Sequence, residues 1–164
     1  MKRFAAAVIY AKGVLKDPEL REKYENIRKE NQSIWNAAIS NFLSKPKVEE
    51  IDVDGYKGLQ GNVIKISAWD KYKVVAVIVT ILNFIGHVIE SGSAVARPLS
   101  GNMEWDYKAT VVNPSYRGGR IVVRVVDMPG NVVQESVFLD GPSPPTSMTP
   151  PPAPPPRGRG DRDA

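Results

Sequence analysis

His87 is the only histidine of the chain and cysteine is absent, so the side-chain chemistry on offer is that of oxygen and amine groups. Disulfides, zinc-thiolate sites, iron-sulfur clusters and thiol nucleophiles are excluded, and neither a catalytic triad nor a histidine-based metal cluster is expected. His87 lies in "NFIGHVIESG", where a surface place in a hairpin is expected. Among the acids, Glu49, Glu50, Asp52 and Asp54 precede Gly55, and Asp52-x-Asp54-Gly55 resembles the opening of a calcium loop. That loop needs another oxygen ligand two positions on and a closing glutamate; Tyr56 and Gly61 stand there instead. Ile51 and Val53 alternate with the acids, so the run reads as the wet side of a strand, where charge discourages edge pairing.

One carboxylate pair is subtler. Asp70 and Asp127 each close an apolar run, "IKISAWD" and "VVRVVD". In an immunoglobulin-like topology the loops after these two strands lie at the same end of the sandwich. Two neighbouring carboxylates can take a cation, or act as acid and base if one pKa is raised. An aspartate leaving a strand more simply accepts hydrogen bonds from its own turn, and that structural role is the expectation for both. No metal and no cofactor is expected.

Period decides which elements carry these groups. Phe4, Val8, Ala11 and Leu15 recur at helical steps, Asp17-Pro18 supplies a cap and a first helical position, and Leu20, Tyr24 and Ile27 continue a second stripe. A third helix presents Ile34, Trp35, Ala38, Ile39, Phe42 and Leu43 before Pro46 stops it. From Val48 the period is two. Seven strands are predicted, at 48–53, 63–69, 74–82, 87–91, 104–110, 120–127 and 131–139, with turn residues between them. That spacing points to an antiparallel immunoglobulin-like β-sandwich in an α+β chain with segregated parts. Its inward faces are Ile64, Ile66 and Ala68; Val75, Val77, Val79 and Ile81; Trp105, Tyr107 and Ala109; and Ile121, Val123 and Val125. "DMPGN", from Asp127 to Asn131, has a proline of fixed φ and a glycine tolerant of positive φ, and reads as a corner rather than an active loop.

The third strand is apolar on its second face too, at Val74, Ala76 and Ile78, and the sixth adds Val122 and Val126. A strand with one wet face would be polar there, so these five residues predict an interaction surface. The N-terminal helices, a protein partner or a second copy would cover it.

The chain divides into a helical segment (1–46), a sandwich (47–140) and a tail (141–164) holding nine of the 14 prolines. That composition predicts a disordered terminus, with docking in an aromatic-lined groove as the alternative. Arg159-Gly160-Asp161 matches an adhesion tripeptide, three residues with little specificity. Residues 1–47 hold ten Lys/Arg against five Asp/Glu. Bases and acids interleave there, as on a solvated helix face, and nucleic-acid binding by these helices is the rival functional reading. "RGG" at Arg117 to Gly119 lacks the spacing of a phosphate loop. The basic, apolar N-terminus is interrupted by Lys12 and lacks a signal cleavage site, and no apolar run reaches the ~20 residues of a membrane helix. A cytoplasmic protein without membrane association is expected.

"FLSKPKVEEIDVDGY", "IKISAWDKYKV" and "VVRVVDMPGNV" together resemble a group of small bacterial proteins of uncharacterised activity, in which a helical start leads into an immunoglobulin-like sandwich. The D-x-P-G-N ending is similar to the last hairpin of many bacterial immunoglobulin-like repeats. The resemblance covers roughly Phe4 to Leu139 and consists of turn and core motifs, so it implies a fold and no catalytic residues. The expected function is a non-enzymatic protein-binding or assembly module.

Overall fold

A computed structural model describes residues 2–139 of the 164-residue chain. The proline-rich tail and its Arg-Gly-Asp tripeptide lie outside the described residues.

Three helices come first: α1 (Lys2–Lys16), α2 (Pro18–Ile27) and α3 (Ile34–Leu43). The Asp17 side chain accepts from the backbone N–H groups of Glu19 and Leu20, and Ser33 accepts from Asn36, so caps start α2 and α3 as their sequences require. The stripe of α1 is rotated from the expected one. Ala7, Ala11 and Val14 are buried, whereas Phe4 and Leu15 are exposed. Small side chains let α1 lie close against Ala37 and Ala38 of α3, so volume rather than hydrophobicity chooses the buried face.

Eight strands follow, not seven: β1 (Lys47–Asp52), β2 (Val63–Trp69), β3 (Val74–Leu82), β4 (Val88–Ser93), β5 (Val95–Ala96), β6 (Glu104–Lys108), β7 (Arg120–Asp127) and β8 (Val132–Phe138). The addition is β5, two residues that are too short to show a period. The chain crosses between sheets at Ala94, which is buried and donates its N–H to Val77 O. The antiparallel sheets have the orders β1-β2-β6-β5 and β4-β3-β7-β8.

The expected inward faces of β2, β6 and β7 are buried in one core with Val77, Val79 and Ile81. At the start of β3 the parity reverses: Val74 is buried and Val75 is 41% exposed. The register against β7 shifts between Val74 and Ala76, and one such slip exchanges the two faces. Val74 therefore belongs to the core, not to an outer surface.

The helices have their own small core of Ala11, Val14, Tyr24, Ala37 and Ala38. From the sandwich, the loop residues Tyr72 and Met128 pack against it. The helices stand on one pole of the sandwich rather than covering a sheet face, because α3 passes through Pro46 directly into β1.

Candidate functional site

Asp70 and Asp127 continue the inward series of their strands, after Ile64, Ile66 and Ala68 and after Ile121, Val123 and Val125, and both are buried at the pole that meets the helices. Each accepts hydrogen bonds within its own turn. Asp70 Oδ2 accepts from the N–H groups of Tyr72 (2.9 Å) and Lys73 (3.1 Å). Asp127 Oδ1 accepts from Asn131 N at 2.6 Å and Oδ2 from Asn131 Nδ2 at 3.0 Å. Burial raises both pKa values against the pull of these donors, and the charge of Asp70 raises Asp127 further. The two carboxyls thus sense one another across the sandwich pole.

The loops that they shape hold the helices. Asn131 Nδ2 also donates to Phe42 O (3.0 Å) and Ser44 O (2.7 Å) at the end of α3. Lys71 Nζ donates to Ser40 Oγ, Lys29 Nζ to Lys71 O, and Gln32 Nε2 to Tyr72 Oη. The Met128–Asn131 corner is therefore also a clasp. Asn131→Ala is expected to cost about 2 kcal/mol, because the Phe42 and Ser44 carbonyls and Asp127 Oδ2 lose the side-chain donor at a half-buried site, while Asp127 Oδ1 keeps the backbone N–H of residue 131. Hydrogen exchange should then quicken throughout α1–α3 while the β3 and β7 amides stay protected.

Tyr10 and Tyr24 share a hydroxyl–hydroxyl hydrogen bond of 2.6 Å, and Asn41 Nδ2 donates to Tyr24 Oη at 2.9 Å. Burial raises the pKa of both tyrosines, and the charge of Asp127 adds to this. Tyr24 and Asn41 are buried and Tyr10 half-buried, so these polar ends lie within the helical segment. Among the described residues no three His, Cys, Asp or Glu side chains gather as a metal site.

The outer face of the second sheet is uncovered and patchy. Ala76, Val126 and Val132 form an apolar row across three strands, but the next row places Arg124 and Gln134 beside Ile78, and Thr80 and Ser136 flank Val122. The expected interaction surface survives only as half-buried Ala76, Ile78, Val122 and Val126 among polar neighbours.

The opposite pole differs. Leu59, Phe84, Ile85, Val111 and Val112, from the β1–β2, β3–β4 and β6–β7 connections, and Val88 at the start of β4 are 40% to 63% exposed. Polar ties, exposed around Asn83 and buried around Tyr56 and Glu90, brace this pole. Asn83 Oδ1 accepts from the N–H groups of Ile85, Gly86 and His87. Asn113 N donates to Gly58 O and Asn113 Nδ2 to Tyr56 Oη. Glu90, which is buried on β4, accepts from Tyr107 Oη (2.6 Å), Thr110 N (3.1 Å), Thr110 Oγ1 (2.9 Å) and Val111 N (3.0 Å), joining one sheet to the loop of the other. Sequence reasoning missed Glu90, although it is two residues from Val88 on an alternating strand. His87 is exposed in its hairpin. Beside β4 opens a cleft of about 680 Å³ lined in part by Ser91, Ser93, Asp106 and Lys108; Asp106 is held by a two-pronged contact with Arg97.

No family model matches the chain, and no curated protein matches it. Among solved structures it is similar to the crystal structure of CopC from Methylosinus trichosporium OB3b, with 15% identity and a TM-score of 0.42, over 61% of this chain and 95% of that one. No residue role is carried over from that likeness. Among the described residues no helix is long and apolar enough to cross a membrane.

Proposed function

We propose that the chain is a non-enzymatic protein-binding or assembly module, in which an immunoglobulin-like sandwich turns its helix-free pole toward a partner. The class rests on strand order: β1-β2-β6-β5 against β4-β3-β7-β8 corresponds to the A-B-E-D and C′-C-F-G sheets of such sandwiches. The function rests on one observation, the five exposed apolar side chains on three hydrogen-bonded loops, with exposed Val88 beside them at the start of β4. Apolar groups clustered at a surface favour association, and loops already locked in place have little conformational entropy left to lose on docking.

The nucleic-acid reading is less well supported, because several helical bases serve the fold. Arg3 donates to Phe42 O, Arg21 to Leu15 O, and Arg28 bonds Glu25 and Gln32.

The test is a double variant, Phe84→Ser with Ile85→Ser. Both side chains are solvent-facing, so stability should stay within about 1 kcal/mol of wild type. Partner capture from native extract, or self-association in analytical ultracentrifugation, should weaken at least tenfold, as expected for the loss of about 1.4 kcal/mol or more of docking energy. Undiminished capture and association by the variant would overturn the proposal.

A further inference from the structure

The chain leaves the sandwich at its helix-free pole. Leu139, the last described residue, donates its N–H to Gly119 O. Gly119 in turn lies against the β3–β4 hairpin: a Cβ there would collide with Leu82 O, and one on Gly118 would lie 3.4 Å from Phe84 Cβ. Strand pairing builds an apolar rim at the same place. Val88 faces Leu82, Leu82 faces Arg120, and Arg120 faces Phe138 across β4-β3-β7-β8, and cross-strand partners stand on one face of a sheet. Val88, Phe138, Phe84 and Ile85 are each more than half exposed. Tyr116, whose O accepts from Gly119 N, adds another aromatic ring beside the exit.

We propose that the proline run of residues 150–156, Pro-Pro-Pro-Ala-Pro-Pro-Pro, docks on this rim of its own chain and competes there with the partner. The chemistry fits, since the run is apolar and uncharged, and proline-rich segments are recognised by exposed aromatic side chains at little conformational cost. The reach fits as well. Residues 140–149 separate Leu139 from Pro150 and can span up to about 35 Å, whereas four strands spaced ~4.8 Å apart make a pole roughly 15–20 Å wide. Tethering decides the occupant. A segment attached beside its site acts at an effective concentration on the order of 1 mM, so docking with a Kd of about 1 mM already fills the rim about half of the time. A free partner or a second copy at micromolar concentration must bind far more tightly to do the same. The inference rests on the pole being a binding surface and adds its regulation, because a partner must displace the tail.

The test places a photoreactive phenylalanine analogue at Ile85 of the purified full chain, with Ile78 on the sheet face as the control position. Crosslinks are located by mass spectrometry in an equal mixture of isotope-labelled and unlabelled chains. Position 85 should crosslink to the tail of the same chain, and position 78 should not. Pro151→Ser with Pro154→Ser and Pro155→Ser keeps the tether and removes three rings; it should lower the yield at least fivefold. These substitutions lie beyond the sandwich, so loss of folding does not enter. Any of three outcomes overturns the proposal: silence at position 85, an equal yield from the serine variant, which would mean that the tether alone brings the tail close, or crosslinks that join labelled to unlabelled chains, which would give the rim to a second copy. If the Phe84→Ser, Ile85→Ser variant loses its partner while in-chain crosslinks are absent, the binding surface stands and the tail assignment alone falls. In-chain crosslinks that the serine variant weakens, without any partner capture, would keep the tail and remove the partner.

Discussion

Glu90→Ala should lower stability by about 3 kcal/mol or more at neutral pH, read as a fall in the urea midpoint at constant slope. The size follows from what is left behind. The Glu90 carboxylate gathers the Tyr107 hydroxyl, the Thr110 hydroxyl and the N–H groups of Thr110 and Val111. Removing the acceptor strands these donors at the seam between the sheets, and a donor without a partner costs more than a hydrogen bond contributes. Acid should reproduce part of the effect. Burial pushes the Glu90 carboxyl up, but the Tyr107, Thr110 and Val111 donors outweigh it and hold the pKa below the ordinary glutamate value. A depressed folded pKa gives stability that is complete above the unfolded value of ~4.3 and is lost as pH falls through the lower folded value. The gap between wild type and variant should therefore be widest near neutrality and close progressively below about pH 4. A gap independent of pH would show that the carboxylate charge plays no part.

The second large effect is expected at Gly58. Its φ is +80°, and an added Cβ would lie 2.2 Å from Asn113 O and 3.0 Å from a ring carbon of Tyr116. The left-handed conformation alone costs an alanine about 1–2 kcal/mol. The backbone collision cannot be relieved without separating the β1–β2 and β6–β7 loops, because Asn113 N also binds Gly58 O. Gly58→Ala should thus exceed about 3 kcal/mol, among the largest single-residue losses. Gly101→Ala is the matched control: its φ is +67° with nothing within 4 Å of the added carbon. It should lose only the conformational part. Equal losses in the two variants would mean that the loops are not locked together as described.

Much of the architecture was legible because the strands carry their own period. Val77, Val79 and Ile81 opposite Ile121, Val123 and Val125 are strictly alternating, and the structure buries all six. Val74 and Val75 were misassigned because both are valine: pattern cannot locate a register shift between residues of equal hydrophobicity, and only the pairing with β7 reveals it. The stripe of α1 failed for a related reason. Hydropathy ranks Phe4 and Leu15 above Ala7, but a close helix contact selects for small volume. Asp70 and Asp127 were placed at one pole by strand order alone. The grip of their turns on α3, through Lys71 and Asn131, was not legible, since it depends on where separate helices dock. The loop pole escaped notice because its apolar residues are scattered over three loops, each unremarkable by itself.

The most direct test of the central claim is site-specific photocrosslinking in the native cell, with the reactive group placed at Ile85 in one chain and at Ile78 in another. Adducts of one defined mass from position 85, with none from position 78, are the result predicted here. Adducts from the sheet face at position 78 and silence at position 85 would contradict it, and would return the working surface to the outer side of β3 and β7.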